Sequence, residues 1–186
     1  MPDSNYDRPP PYRDKNKEFY KDWLIDCFNI WYTNYPKMKL RLFDNLISAI
    51  LGIPSGTDAF GFGDISLLSI ETDGSYHDLD VLKITSEGFS SFGLNVRDHK
   101  ISEVATLERM DAHRKLLSFD GLSATCKRCP VVSVCGGGSV PHRYSSNNGF
   151  NNPTVYCHEM KNIILHISNV IHSAFRRNKN AVREIG

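Results

Sequence analysis

Residues 126–138 read Cys126-Lys-Arg-Cys129-Pro-Val-Val-Ser-Val-Cys135-Gly-Gly-Gly, and Cys157 completes the spacing C-x2-C-x5-C-x21-C. Four thiolates can fill the coordination of one zinc ion or of one iron–sulfur cluster. Three of them lie within ten residues of each other, so closing that part of a site costs little loop entropy. Cys157 ties a separate segment to the loop. Structural zinc sites usually pair two C-x2-C knuckles, and the second knuckle is absent here. A set of three cysteines with His142 or His158 is also compatible with the spacing, so at this point the metal is open.

Composition sets the frame around that loop. The chain has 186 residues, 40% of them hydrophobic, enough for one domain or a small domain with an appendage. A net charge of +1 gives no field that would attract nucleic acid or an anionic membrane. The longest apolar stretch, near Leu46–Ile53, is too short to span a bilayer. The polar, proline-rich start carries no signal-peptide core, so a cytoplasmic location is expected, where clustered thiols are metal ligands more often than disulfides.

Outward from the cysteines, the pattern predicts an α+β fold with a helical N-terminal part, a small β-hairpin or sheet, the cysteine-rich loop and a long C-terminal helix. Residues 1–16, with Pro9-Pro10-Pro11, read as an extended arm. Phe19, Trp23, Cys27 and Trp31, with Tyr20, Leu24 and Phe28 beside them, predict an amphipathic helix to about Asn34. Cys27 lies on that stripe and is expected to be a small apolar packing residue. A second helix, with Phe43, Leu46, Ile47 and Ile50 as its stripe, should end at Gly52. A strand over residues 65–71, a two-residue Asp73-Gly74 turn and a return strand over 76–82 form the expected hairpin. Two short helices fit within 102–119, the first capped by Ser102.

For the last helix, Asn152 suits the N-cap and Pro153 the first helical position. That start puts Cys157 near the first turn, where unpaired N–H groups and the helix dipole lower a thiolate's pKa. Val155, Ile163, Ile164, Ile167, Val170, Ile171 and Phe175 supply its apolar face, and the helix should fade in a basic tail, residues 176–186. His158, His166 and His172 show no convergent i, i+4 pair and are not expected to be ligands. Gly136-Gly137-Gly138 reads either as a flexible turn or as a way to bring backbone N–H groups close to a bound group.

The run Cys126-x2-Cys129-Pro-Val-x3-Cys135-Gly-Gly-Gly-x3-His142-Arg143-Tyr144, then Gly149-Phe150-x-Asn152-Pro153-x-Val155-Tyr156-Cys157, resembles the C-terminal SPASM region of radical SAM peptide maturases. The likeness is greatest to those that form cyclophane crosslinks in ribosomally made peptides (RiPPs). Asp22-Trp23-Leu24, Trp31-Tyr32, Arg41-Leu42-Phe43-Asp44 and Glu71-Thr72-Asp73-Gly74 through Asp80-x2-Lys83 agree with it, to about residue 175. The resemblance implies an iron–sulfur domain over residues 17–175 in which Cys126, Cys129, Cys135 and Cys157 ligate one auxiliary [4Fe–4S] cluster. Gly136, Gly137, Gly138, His142 and Arg143 would surround it. Arg143 can neutralise cluster charge, contact a peptide or form a structural salt bridge. Glu71, Asp73 and Asp80 can bind a basic residue of a precursor peptide, although a solvated turn explains them as well.

Two departures from the family pattern narrow this implication. The family extends C-x2-C-x5-C by a further x3-C, where this chain has Ser139, and carries a G-x4-C pair where this chain has Leu79 after Gly74. One cluster is therefore expected, not two. The C-x3-C-x2-C loop that holds the SAM-binding cluster is also absent, as is the succession of βα units that a barrel needs. The expectation is an auxiliary-cluster portion that does not cleave S-adenosylmethionine alone, with a barrel supplied by a missing domain or another chain. The alternative is a non-catalytic, zinc-stabilised module that binds a peptide or protein.

Overall fold

Leu24, Phe28 and Trp31, spaced by four and three residues, form the buried face of α1 (Phe19–Asn34). The computed structural model describes residues 4–11, 19–54, 56–62 and 67–183. Residues 1–3 and 12–16 of the expected arm, 65–66 of the expected strand and 184–186 of the expected tail lie outside the described residues. The α1 stripe is rotated from the sequence expectation: Trp23 is 58% exposed, whereas Phe28 is fully buried. The helix turns its Leu24/Phe28 side to the core, where Phe28 meets Phe43 edge to face at 5.3 Å.

The second helix, α2 (Arg41–Ile50), follows the predicted stripe, burying Phe43 and Leu46. It ends as the glycine predicts. Gly52 has a φ of 80°, its N–H donates to the Ala49 carbonyl, and the Ile53 N–H reaches back to Ser48. This pair of bonds is the Schellman arrangement.

Three short antiparallel strands follow in the order β1 (Ser69–Ile70), β2 (Ser75–His77), β3 (Ser91–Asn95). The hairpin forms at the expected place with a different turn. Ile70 pairs with Tyr76, and the Gly74 N–H donates to the Glu71 carbonyl, so Thr72-Asp73-Gly74 is a three-residue loop with glycine in the left-handed position. The expected return strand is shorter, because Asp80–Ile84 coils into a 3-10 turn. The third strand was not predicted.

Two short helices, α3 (Ile101–Ala105) and α4 (Glu108–Leu116), fall within the expected window. Ser102 lies inside α3 and does not cap it; the Glu103 carboxylate accepts from the Lys100 N–H at 3.1 Å instead. Two one-turn helices, α5 (Ala124–Lys127) and α6 (Val132–Cys135), carry the cysteine loop, and a 3-10 turn at Val140–Arg143 follows. The long final helix α7 (Cys157–Arg183) starts later than Asn152-Pro153 implied and runs past the expected fade. Asn152 does not cap it, because its side-chain amide donates to the carbonyls of Arg143 and Gly149. Pro153 accordingly precedes the helix.

Helix α7 packs against α1 and α2. Met160, Ile163, Ile164, Ile167 and Ile171 join Leu24, Phe28, Trp31, Phe43 and Leu46 in one core, onto which Cys129, Val134 and Cys135 also pack. Each large side chain buried here contributes roughly 1.5–3 kcal/mol relative to exposure. Part of the expected arm is docked on the domain: the Tyr6 N–H donates to the Tyr144 carbonyl and the Asp7 carboxylate accepts from the Ser146 N–H. No described helix is long and apolar enough to cross a membrane.

Candidate metal centre

Ser123 starts the site. Its hydroxyl accepts from the Cys126 N–H at 3.3 Å, capping α5 and fixing the turn that carries Cys126. The loop then advances by single turns: Cys129 N–H donates to the Cys126 carbonyl, Val132 N–H to Cys129, and Cys135 N–H to Val131. Cys157 is the first residue of α7, with its N–H on the Thr154 carbonyl. Short hydrogen-bonded turns thus place three cysteines, and the base of the long helix delivers the fourth.

All four cysteines line one cavity of about 270 Å³, together with Arg128, Gly137, Thr154 and Lys161. Among the described residues, no three His, Cys, Asp or Glu side chains converge closely enough to hold a single metal ion. One zinc ion takes all four sulfurs at about 2.3 Å, whereas in a polynuclear cluster each metal takes one thiolate.

The triple glycine is a conformational requirement of this loop. Gly136, Gly137 and Gly138 have φ of 58°, 82° and 73°, a left-handed run that L side chains resist. A Cβ on Gly136 would lie 1.9 Å from the Gly61 carbonyl oxygen, and one on Gly137 would lie 2.6 Å from Leu122 Cδ2. The result is a backbone tight against the cavity at Gly137.

Burial sets the electrostatics. It pushes the Cys135 thiol up to about 12; the Gly137 N–H works against this shift, and the other three cysteines add to it. Burial also raises Cys157, again helped by Cys126 and Cys129. Cys157, expected to be lowered at the helix N-terminus, is raised instead, with burial the largest cause. Raised thiols such as Cys135 and Cys157 become thiolates more readily beside a cation. Lys161, one turn after Cys157, and Arg128, inside the C-x2-C unit, bring positive charge to the cavity lining. The sequence reading missed both, although their spacing from the cysteines was visible.

The remaining expected site residues divide. Arg143 lies beside Gly137 and the cysteines and is 1% exposed. His142 packs edge to face on Tyr156 at 5.1 Å and, with Ser139 and Gly138, lines a separate cavity of about 600 Å³ bordered by Arg41, Asp58 and Thr154. Leu79, at the other position where the resembling family carries cysteine, is buried against Leu82 and Val140. On the hairpin, Lys83 pairs with Glu71 at 2.5 Å and Asp80 at 2.9 Å, while Asp73 accepts from the Ser75 N–H and hydroxyl. These three carboxylates line neither cavity. Cys27 packs at the edge of the main core, as expected, and does not line the cavity of the other four.

Fold and site together define an α+β domain with four cysteines around a cavity. No family model and no curated protein matches the chain. Solved structures of anSMEcpe, an anaerobic sulfatase-maturating radical SAM enzyme, share the fold. The native enzyme with bound AdoMet has a TM-score of 0.68 at 21% identity, over 98% of this chain and 46% of that one. The hexahistidine-tagged enzyme with bound AdoMet has a TM-score of 0.66 at 22% identity, over 90% and 41%. The form with AdoMet and the Kp18Cys peptide has a TM-score of 0.64 at 21% identity, over 81% and 42%. At these identities the likeness is one of fold, and the chain spans less than half the length of these structures. The neighbours are sulfatase-maturating, not cyclophane-forming, enzymes.

Proposed function

We propose that this chain is a SPASM-type portion of a radical SAM enzyme that modifies a ribosomally made peptide, and that it holds one auxiliary [4Fe–4S] cluster. The observation that carries the reading is the single cavity of about 270 Å³ lined by Cys126, Cys129, Cys135 and Cys157. The fold shared with a radical SAM enzyme that binds AdoMet and a peptide supports it. When bound, such a cluster supplies one-electron transfer.

The chain's own residues have definite parts in this reading. The four cysteines give the ligands, and Gly137 brings bare backbone to the cavity lining beside them. Pro130, Val131 and Val132 make an apolar wall that limits water around the site. The larger cavity, beyond Gly138 and Thr154, is where a precursor peptide would lie, with Arg41, Asp58 and His142 as polar contacts. It is a better candidate than the hairpin carboxylates Glu71, Asp73 and Asp80, which already have local partners. Cleavage of S-adenosylmethionine belongs to a barrel unit carrying the C-x3-C-x2-C loop that this sequence lacks. A cyclophane product rests on the motif likeness alone.

Anaerobic purification tests the proposal. A brown protein with broad absorption near ~400 nm, lost in Cys129→Ala and Cys157→Ala variants, is the expected result for a four-thiolate cluster. A colourless protein that retains one zinc ion in place of iron contradicts it and returns the zinc-stabilised binding module.

A further inference from the structure

Arg143 is an almost fully buried cation, 1% exposed, with no carboxylate partner among the described residues. Its Nη2 donates to the Leu116 carbonyl at 2.5 Å, which ties the 3-10 turn to the end of α4. Nε and Nη1 have no hydrogen-bond partner. Nη1 lies 3.3 Å from where a Cβ on Gly137 would stand, and Gly137 itself lines the cysteine cavity. Burial disfavours the guanidinium charge, and the groups that favour it are Cys126 and Cys135. A guanidinium taken out of water is costly unless an anion offsets it, and thiolates of the cysteine site, once formed around a bound centre, would supply that negative charge next to it.

We propose that Arg143 is a positioning residue for the four-cysteine centre, raising the reduction potential of the cluster by holding a fixed positive charge behind Cys126 and Cys135. This rests on the iron–sulfur reading given above. Four thiolates around an iron–sulfide core carry net negative charge, and one-electron reduction adds another negative charge. A buried cation stabilises the reduced form more than the oxidised form, because the interaction grows with the cluster's charge and is weakly screened there. Gly137 contributes by lacking a Cβ: an alanine there would press on the guanidinium and on Leu122. The hydrogen bond to Leu116 holds the side chain in place.

The test is a redox titration of the anaerobically prepared full chain and of Arg143→Lys, Arg143→Gln and Arg143→Met, with iron measured in each. Glutamine keeps a donor for the Leu116 carbonyl but no charge. In the expected result, Gln and Met load iron like the unsubstituted protein and titrate at lower potential, while Lys stays near the original value. The expected shift is about tenfold in reduced fraction at fixed potential, ~59 mV for a one-electron couple. Loss of the cluster from Gln and Met but not from Lys also supports a charge requirement. Unchanged potentials overturn the proposal, as does an equal effect of all three substitutions, which would mark a packing role. Failure of the unsubstituted protein to load iron overturns the parent reading and this inference together, and is recognised before any variant is compared.

Discussion

Cys135 and Ser139, four residues apart, open onto different cavities: Cys135 onto the one shared with Cys126, Cys129 and Cys157, Ser139 onto the larger one beside His142. Thr154 borders both, and the left-handed glycine run between the two residues turns the chain from one to the other. A fifth cysteine, at position 139, would therefore not join the existing set of four. Ser139→Cys is expected to leave iron content and the absorption spectrum of the small cavity unchanged. Displacement of Cys157 by the new thiol, read as retained cluster in a Ser139→Cys, Cys157→Ala double variant, would contradict this geometry.

The glycines differ in what surrounds them, and their substitutions should differ accordingly. Gly136→Ala meets the Gly61 backbone at 1.9 Å, whereas Gly149→Ala, also at positive φ, meets nothing within 4 Å. The second should cost about 1–2 kcal/mol for the left-handed backbone alone. The first adds a steric term of roughly 1–3 kcal/mol. Denaturant unfolding of the two variants measures the gap; equal losses would mean that the Gly61 contact is not made.

Much of the helical frame was legible because its signals are local. The stripe of α2 and its closing Gly52 follow from side-chain spacing and one left-handed residue. The face of α1 was blurred because aromatic residues at Trp23 and Trp31 both look core-like, and only packing against α7 separates them. β3 escaped notice because Ser91, Gly93 and Asn95 give it little strand character. Asn152 carried a good capping signature, but a long-range use of its amide, to Arg143, took precedence. At the site, spacing singled out the cysteines but left His142 and His158 as alternatives, and the set of four came from the family resemblance. Their arrangement around a cavity, the burial of Arg143 and the separation of Ser139 depend on tertiary geometry that no local pattern encodes.

Cys135 should be slow to react in the metal-free protein. Its thiol is pushed up to about 12 by burial, so below that pH it is protonated and the nucleophilic thiolate is scarce. Reactivity should therefore keep rising with pH beyond about 10, where an ordinary thiol of pKa ~8.5 has levelled off. Alkylation followed by peptide mass analysis gives the profile. A plateau for Cys135 below about pH 9 would show that the site is not dry.

Cys157→Ala should abolish metal binding without unfolding the chain, because the core of α1, α2 and α7 is built from apolar side chains. The expected change in stability of the metal-free protein is within about 1–2 kcal/mol. Far-ultraviolet circular dichroism checks this result. Loss of helix would mean that the site is needed to hold the fold together.

Whether the four cysteines hold a cluster is decided by the ratio of iron to acid-labile sulfide to protein after anaerobic reconstitution, with the iron environment read by Mössbauer spectroscopy. About four irons and four sulfides per chain, in a cubane signature that disappears when Cys126 or Cys135 is replaced, is the predicted result. A single metal ion without sulfide, or a stoichiometry that survives loss of those cysteines, would contradict it.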